Sequence, residues 1–276
     1  MPEMNEPSIN MHEDHRRIFE ELRRQHISER KASSKPKAII LCGQPGSGRS
    51  SQIPTIMQEF SGSGAVLLEE SEMQNQPQSL FEEALHGRMN LVIKATLPND
   101  EKLKKLRENG YATSICVVSA HERESLLSLY QRYEGQLATR GIVDKPKIAE
   151  HDEIYRKLPE TLQRIEDDGL ADEVVIRDRK GNEIYRNHQE NGRWEQEPQS
   201  SQSLEVSRNR ACTGEEIANY QEDWQKVIRI MNARGASKQE IDEAERVRKR
   251  CLMSIRRLPS EKVAELNKVE ENGRGK

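Results

Sequence analysis

Residues 37–60 read KAIILCGQPGSGRSSQIPTIMQEF, and this stretch decides the fold. Residues 38–42 are a short apolar run with β-branched members, the pattern of a strand buried on both faces in a parallel sheet. At Gly43 the pattern breaks into Gly43-Gln44-Pro45-Gly46-Ser47-Gly48-Arg49-Ser50-Ser51, and an amphipathic stretch follows to Phe60. Strand, glycine loop and helix in direct succession open an α/β domain. The loop fits GxxxxGK[ST] at every constrained position but one, where Arg49 stands for lysine. Gly43, Gly46 and Gly48 let the chain curl so that successive N–H groups point into one cavity. The helix that follows adds its positive end at the same spot, which makes residues 43–51 a phosphate cradle. The Ser50 hydroxyl can ligate Mg2+. A guanidinium is bulkier than an ammonium and prefers bidentate partners, so Arg49 is expected to disturb phosphoryl transfer more than phosphate binding.

Outward from this stretch the alternation continues. Residues 65–68, 90–96 and 111–120 read as strands; residues 80–87, 100–110 and 121–136 read as helices between them. Residues 141–147 (GIVDKPK) break the pattern as a loop. Residues 151–169 are helical, with Pro159 expected to kink or divide them. Residues 174–176 and 183–185, joined by Lys180-Gly181-Asn182, are a hairpin signal. The expected architecture is α/β, a mostly parallel sheet flanked by helices, followed by a C-terminal helical hairpin. The segments are residues 1–36, an N-terminal helix (13–31) with a linker; 37–187, the P-loop domain; 188–212, a polar linker rich in Gln and Ser; and 213–276, a helical region. Two capping boxes, Thr213-Gly-Glu-Glu216 and Ser237-Lys-Gln-Glu240, open the helices of that last region. The thin apolar stripe of residues 13–31 is expected to pack on the P-loop domain.

Composition sets limits. The 276 residues carry 44 basic and 47 acidic side chains, a net charge of −3, which gives no electrostatic case for a nucleic-acid partner. Hydrophobic residues are 33% and the mean hydropathy is −0.93, so only part of the chain can be dense core. Residues 38–42 are far too short an apolar run to cross a bilayer, and the N-terminus lacks the apolar stretch of a secretory signal. Cys42, Cys116, Cys212 and Cys251 are widely spaced, without a CxxC pair. Together these features point to a reducing, cytoplasmic setting with no membrane partner.

Outside the loop, Glu69-Glu70 ends the second strand. Such a carboxylate can take the proton of an acceptor hydroxyl, or the pair can be solvated loop glutamates. Strand alternation directs Glu70 to the rim that carries the P-loop and Glu69 to the opposite side. Arg132, with Arg140 following, either clamps charge developing on a γ-phosphate or lies on a helix surface. His151-Asp152 opens a helix, where Asp152 favours the N-terminal dipole.

The segments LCGQPGSGRSS, NLVIKAT, ENGYATSICVV, QRYEG, EHDEIYRKLPETL and VVIRDRKGNEIYRN, in this order, resemble the bacterial zeta toxin family. The resemblance covers roughly residues 37–235, and TGEEIANYQEDWQKVIRIMNARGAS is similar to the tail of proteobacterial members. It implies a P-loop kinase-like fold and ATP-dependent phosphorylation of UDP-N-acetylglucosamine, or a related UDP-sugar, on the sugar 3′-hydroxyl. The cofactors would be ATP and Mg2+, and an antitoxin protein would block the ATP site. It also implies roles: nucleotide binding for residues 43–51, the base for Glu70 at the family's aspartate position, and a γ-phosphate contact for Arg132. Arg140 substitutes for a second arginine whose place is nearest Asp144. Thr96 belongs to Lys94-Ala-Thr, which replaces the family's EGT, and Glu82 or Glu83 stands for its substrate-contacting glutamate. The stretch after Glu70 is shorter than in the family, which marks a divergent, shortened member. Arg49, Asp144, Lys94 and that short stretch all depart toward lost activity. The alternative is therefore a catalytically impaired protein of the same fold that binds nucleotide or a protein partner; a different small acceptor is a third reading.

Overall fold

The first strand, β1 (Lys37–Cys42), divides its side chains between two cores. Ala38, Ile40 and Cys42 join one cluster, while Ile39 and Leu41 join another. A strand sends successive residues to opposite faces, so an unbroken apolar run is what a strand covered on both sides requires. This is seen in a computed structural model that describes residues 30–70 and 79–255, with Glu21 and Ile27. The expected N-terminal helix therefore lies almost wholly outside the described residues, as do residues 71–78 and the tail from residue 256.

Around β1 the sheet builds outward. β3 (Leu91–Lys94) and β4 (Ala112–Val118) flank it in parallel. β2 (Val66–Glu69) lies parallel beyond β3, and β5 (Glu173–Arg177) parallel beyond β4. β6 (Glu183–Glu190) and β7 (Arg193–Trp194) close that edge in antiparallel fashion, giving the order β2-β3-β1-β4-β5-β6-β7. One face is covered through Ile56 of α1 (Arg49–Gln58) and Phe60 beyond it. The other is covered by α2 (Leu80–His86), α3 (Asp100–Glu108), α5 (Ile148–Asp167) and α6 (Ser200–Arg208), through Leu80, Leu103, Leu162 and Leu204 among others. The P-loop kinase-like α/β fold expected from the sequence is thus the fold observed.

The remaining helices form a layer of their own. α4 (Glu122–Arg140) packs against the hairpin of α7 (Gly214–Ala233) and α8 (Lys238–Met253). Both hairpin helices carry complete capping boxes, Thr213 with Glu216 and Ser237 with Glu240. Trp224, fully buried, meets Tyr130 of α4 with ring centroids 5.2 Å apart. Arg234 donates to both carboxylate oxygens of the buried Glu134 at 2.7 and 2.9 Å, tying the end of α7 to α4.

Three local expectations need correction. Pro159 does not divide its helix: α5 runs through it, because the buried Leu158, Leu162 and Ile165 hold both halves against one core. α5 also begins at Ile148, so Asp152 sits in its second turn and not at its N-terminus; Glu150 is the first-turn acid. The stretch 188–212 is not a plain linker. It holds the end of β6, β7 and α6, anchored by polar groups: the buried Glu166 accepts from Ser200 N–H at 2.9 Å, Ser200 Oγ at 2.6 Å and Tyr185 Oη at 2.6 Å. Among the described residues no helix is long and apolar enough to cross a membrane.

Candidate active site

The glycine loop connects β1 to α1, with Gly43, Gly46 and Gly48 all at positive φ (148°, 81° and 103°). At Gly46 no other residue fits: a Cβ there would fall 2.2 Å from the Ser125 carbonyl oxygen of α4. α1 begins with Gly48 as a left-handed cap, with no capping side chain and no acid in the first turn. Its positive end therefore faces the loop without a competing carboxylate, which suits an anion.

Behind the loop a buried network fixes its shape. The Gln44 side chain donates to the Ala120 carbonyl at 2.8 Å and to Ser125 Oγ at 3.3 Å, and its Oε1 accepts from Arg208 Nη2 at 2.9 Å. Arg208, itself buried, also donates to the Tyr155 carbonyl at 2.8 Å and lies 4.0 Å from the Tyr155 ring centroid. Burial pushes its pKa down to about 10. Ser125 Oγ lies 2.7 Å from His151 Nε2, and His151 Nδ1 lies 2.9 Å from Asp152 Oδ1. Burial holds the imidazole pKa low, so it is neutral. Nδ1–H then donates to Asp152, and Nε2 accepts from Ser125. Asp152 in turn is gripped by Arg250 of α8 at 2.7 and 2.9 Å. The His-Asp pair is thus structural, a strut from the P-loop to the C-terminal hairpin.

The loop opens onto a cleft of about 730 Å³. Gly46, Gly48, Arg49 and Ser50 line it together with Glu69, Glu70, Thr96 and Arg132. It also takes in Lys94, Lys147, Glu150, Ser128 and Arg179, so five cations face three carboxylates. That excess fits a polyanion. Glu70 is half-buried, and its Oε2 accepts from Thr96 N–H at 2.9 Å and Thr96 Oγ1 at 3.2 Å. Thr96 thereby positions Glu70. Glu69 does not project away as strand alternation predicts. It lines the same cleft and pairs with Lys94 at 2.8 Å, its neighbour in register on β3. The strand ends at Glu69, so the pleat no longer separates the two residues.

Arg49 is half-buried, and its Nη1 donates to the Ala95 carbonyl at the end of β3. Burial lowers its pKa, against the opposing pull of Glu70 and Glu69. Arg132 faces the cleft, but Arg140, eight residues on and exposed, is not among the lining residues. The second cation on that side is Lys147, at the cap of α5. Glu82 and Glu83 of α2 do not line the cleft either; Glu82 instead holds Lys105 Nζ at 2.6 Å on α3. Sequence reading missed Lys147 and Arg179. Lys147 carried one signal, its place in a loop directly before a helix; Arg179 sat in a recognised hairpin turn with nothing to relate it to residue 48.

Comparisons with known proteins bear on the family and the fold. The zeta toxin family model matches residues 20–78 and 71–190. A zeta toxin of Streptococcus pyogenes is 28% identical over 224 residues, covering 69% of this chain and 75% of that protein. One of Enterococcus hirae is 28% identical over 224 residues, with 69% and 76% covered. A solved structure from the PezAT chromosomal toxin–antitoxin system of Streptococcus pneumoniae superposes with a TM-score of 0.63 at 18% identity, over 80% of this chain and 96% of that one. With a family model spanning most of the α/β domain, the chain belongs to the zeta toxin family.

Proposed function

We propose that this chain is an ATP-dependent kinase that phosphorylates UDP-N-acetylglucosamine, or a related UDP-sugar, on a sugar hydroxyl. The observation that carries the proposal is the cleft itself, where a P-loop and a fixed carboxylate, Glu70, share one rim with a surplus of cations. The triphosphate lies along the loop and the start of α1. Ser50, whose exposed hydroxyl is a hard oxygen donor in the first turn, would hold Mg2+, which neutralises phosphate charge when bound. Glu70 Oε1 takes the proton from the acceptor hydroxyl while Thr96 holds Oε2. The freed oxygen forms a bond to the γ-phosphorus, the bond from that phosphorus to the β–γ bridging oxygen breaks, and ADP leaves. Arg132 and Lys147 face the charge that spreads over the transferred group. An antitoxin protein that covers this cleft is the partner the family reading brings with it, and Arg140, Glu82 and Glu83 carry no step in the reaction.

A second reading, nucleotide binding with impaired turnover, is favoured by one observation: the Arg49 guanidinium is spent on the Ala95 carbonyl. One assay separates the two. ATP consumption is followed with and without UDP-N-acetylglucosamine, in the wild type and in Glu70→Gln. Sugar-dependent turnover that falls about 10²–10⁴-fold in the variant, at unchanged ATP affinity, supports the kinase. Tight ATP binding with no sugar-dependent turnover replaces it with the second reading.

A further inference from the structure

The five cations that line the cleft stand on different elements. Arg49 opens α1, Arg132 belongs to α4, Lys147 caps α5 and Arg179 lies in the turn after β5. Lys94, the last residue of β3, is the one among them that rises from the sheet. The end of β3 is stitched to the start of the glycine loop. Lys94 sits opposite Leu41 in register, Ala95 N–H donates to the Leu41 carbonyl at 3.0 Å, and Gly43 N–H donates to the Thr96 carbonyl at 3.3 Å. Alternation sets the direction of the side chain. Ile93 and Ala95 join the cluster on one face and Val92 the cluster under α1, so Lys94 falls on the α1 side of the sheet.

We propose that Lys94 supplies the ammonium that residue 49 does not, and grips the phosphates of a bound nucleoside triphosphate from the strand. This rests on the reading that the P-loop holds the triphosphate, and not on the identity of the acceptor. Arg49 commits its Nη1 to the Ala95 carbonyl, one residue further along the same chain segment, which turns that guanidinium toward backbone. The Lys94 ammonium is compact, carries three donors and gives one of them to Glu69 Oε1 at 2.8 Å. The others can serve phosphate oxygens. The side chain is 19% exposed, so its charge is screened less than that of a surface lysine. A strand lysine held by a glutamate and presented to nucleotide phosphates is also the arrangement of protein kinases. A grip from the strand pulls on the phosphates from another side than a loop lysine does. It therefore serves binding more than in-line transfer, which depends on exact placement.

Titration calorimetry of the full chain with Mg-ATP and with Mg-tripolyphosphate tests this in the wild type and three variants. Lys94→Met keeps the apolar stem and removes the charge. Lys94→Met/Glu69→Gln also removes the carboxylate that the first change leaves without its lysine. Lys94→Met/Arg49→Lys returns an ammonium to the loop. Affinity for both probes should fall about tenfold to a hundredfold in the first two variants, the loss of a charge-assisted hydrogen bond, and most of it should return in the third. Wild-type affinity in Lys94→Met overturns the proposal. Full recovery in Lys94→Met/Glu69→Gln does so too, because the loss then came from the stranded Glu69. Absence of any recovery with Arg49→Lys has the same force. Failure of folded wild type to bind either probe overturns the P-loop reading along with it, whereas binding without sugar-dependent turnover removes only the kinase.

Discussion

His121 should make this protein acid-sensitive by a mechanism the structure defines. It is the N-cap of α4, and its ring Nδ1 accepts from the Arg123 N–H at 3.0 Å, which only an unprotonated nitrogen can do. The side chain is buried, and its pKa is pushed down from 6.5 to about 3, first by burial and then by Arg123, Arg208 and Arg210. The sign follows from proton counting. Between these two values the unfolded chain binds a proton that the folded chain refuses, so stability is intact above 6.5 and drains away as pH falls. At about pH 5 the loss from this one group is up to about 2 kcal/mol. Burial pulls His151 the same way, so the wild type alone does not isolate His121. His121→Asn does, because asparagine caps a helix equally well and does not titrate. Urea unfolding of both proteins at about pH 7.5 and about pH 5 should show the wild type losing about 2 kcal/mol more than the variant on acidification. Equal losses would refute the assignment.

Other consequences are open to direct measurement. Arg49→Lys should raise ATP turnover, because a lysine supplies the ammonium that the loop pattern calls for and gives up the Ala95 contact; an unchanged or lower rate counts against Arg49 as the limiting defect. Arg234→Ala strands the buried Glu134 carboxylate and should cost about 3 kcal/mol in urea unfolding, partly restored by adding Glu134→Gln; a loss under about 1 kcal/mol would show that the pair contributes little. Gly46→Ala forces a Cβ onto the Ser125 carbonyl from a positive φ and should cut nucleotide affinity by more than about tenfold, through a displaced loop; wild-type affinity in titration calorimetry would contradict the close approach.

Much of the fold was legible because its signals are local. The apolar run of β1, the glycine spacing of the loop, the turn at residues 180–182 and two capping boxes each lie within a few neighbouring residues, where φ preferences and hydrogen bonds to near neighbours decide conformation. Strand polarity puts Glu70 on the rim that carries the P-loop, whereas Arg132, within α4, and Thr96 are pointed to by the family resemblance and reach the cleft through packing. α6 was not legible. Of its residues only Leu204 is a buried hydrophobe, and its docking rests on Ser200 with Glu166 and on Arg208 with Gln44, partners that hydrophobic periodicity does not register. Arg208 and Gln44 are 164 positions apart, and no local rule relates them.

What the sequence determined by itself is the glycine loop and the α/β sheet that presents it, because each is written in short-range backbone chemistry. What only the tertiary structure decided is which other side chains line the cleft: Lys147 and not Arg140, Arg179 beside Gly48, and Glu69 turned into the cleft by the end of its strand. Those placements depend on how distant segments pack, and packing selects among exposed polar residues that look alike in the chain.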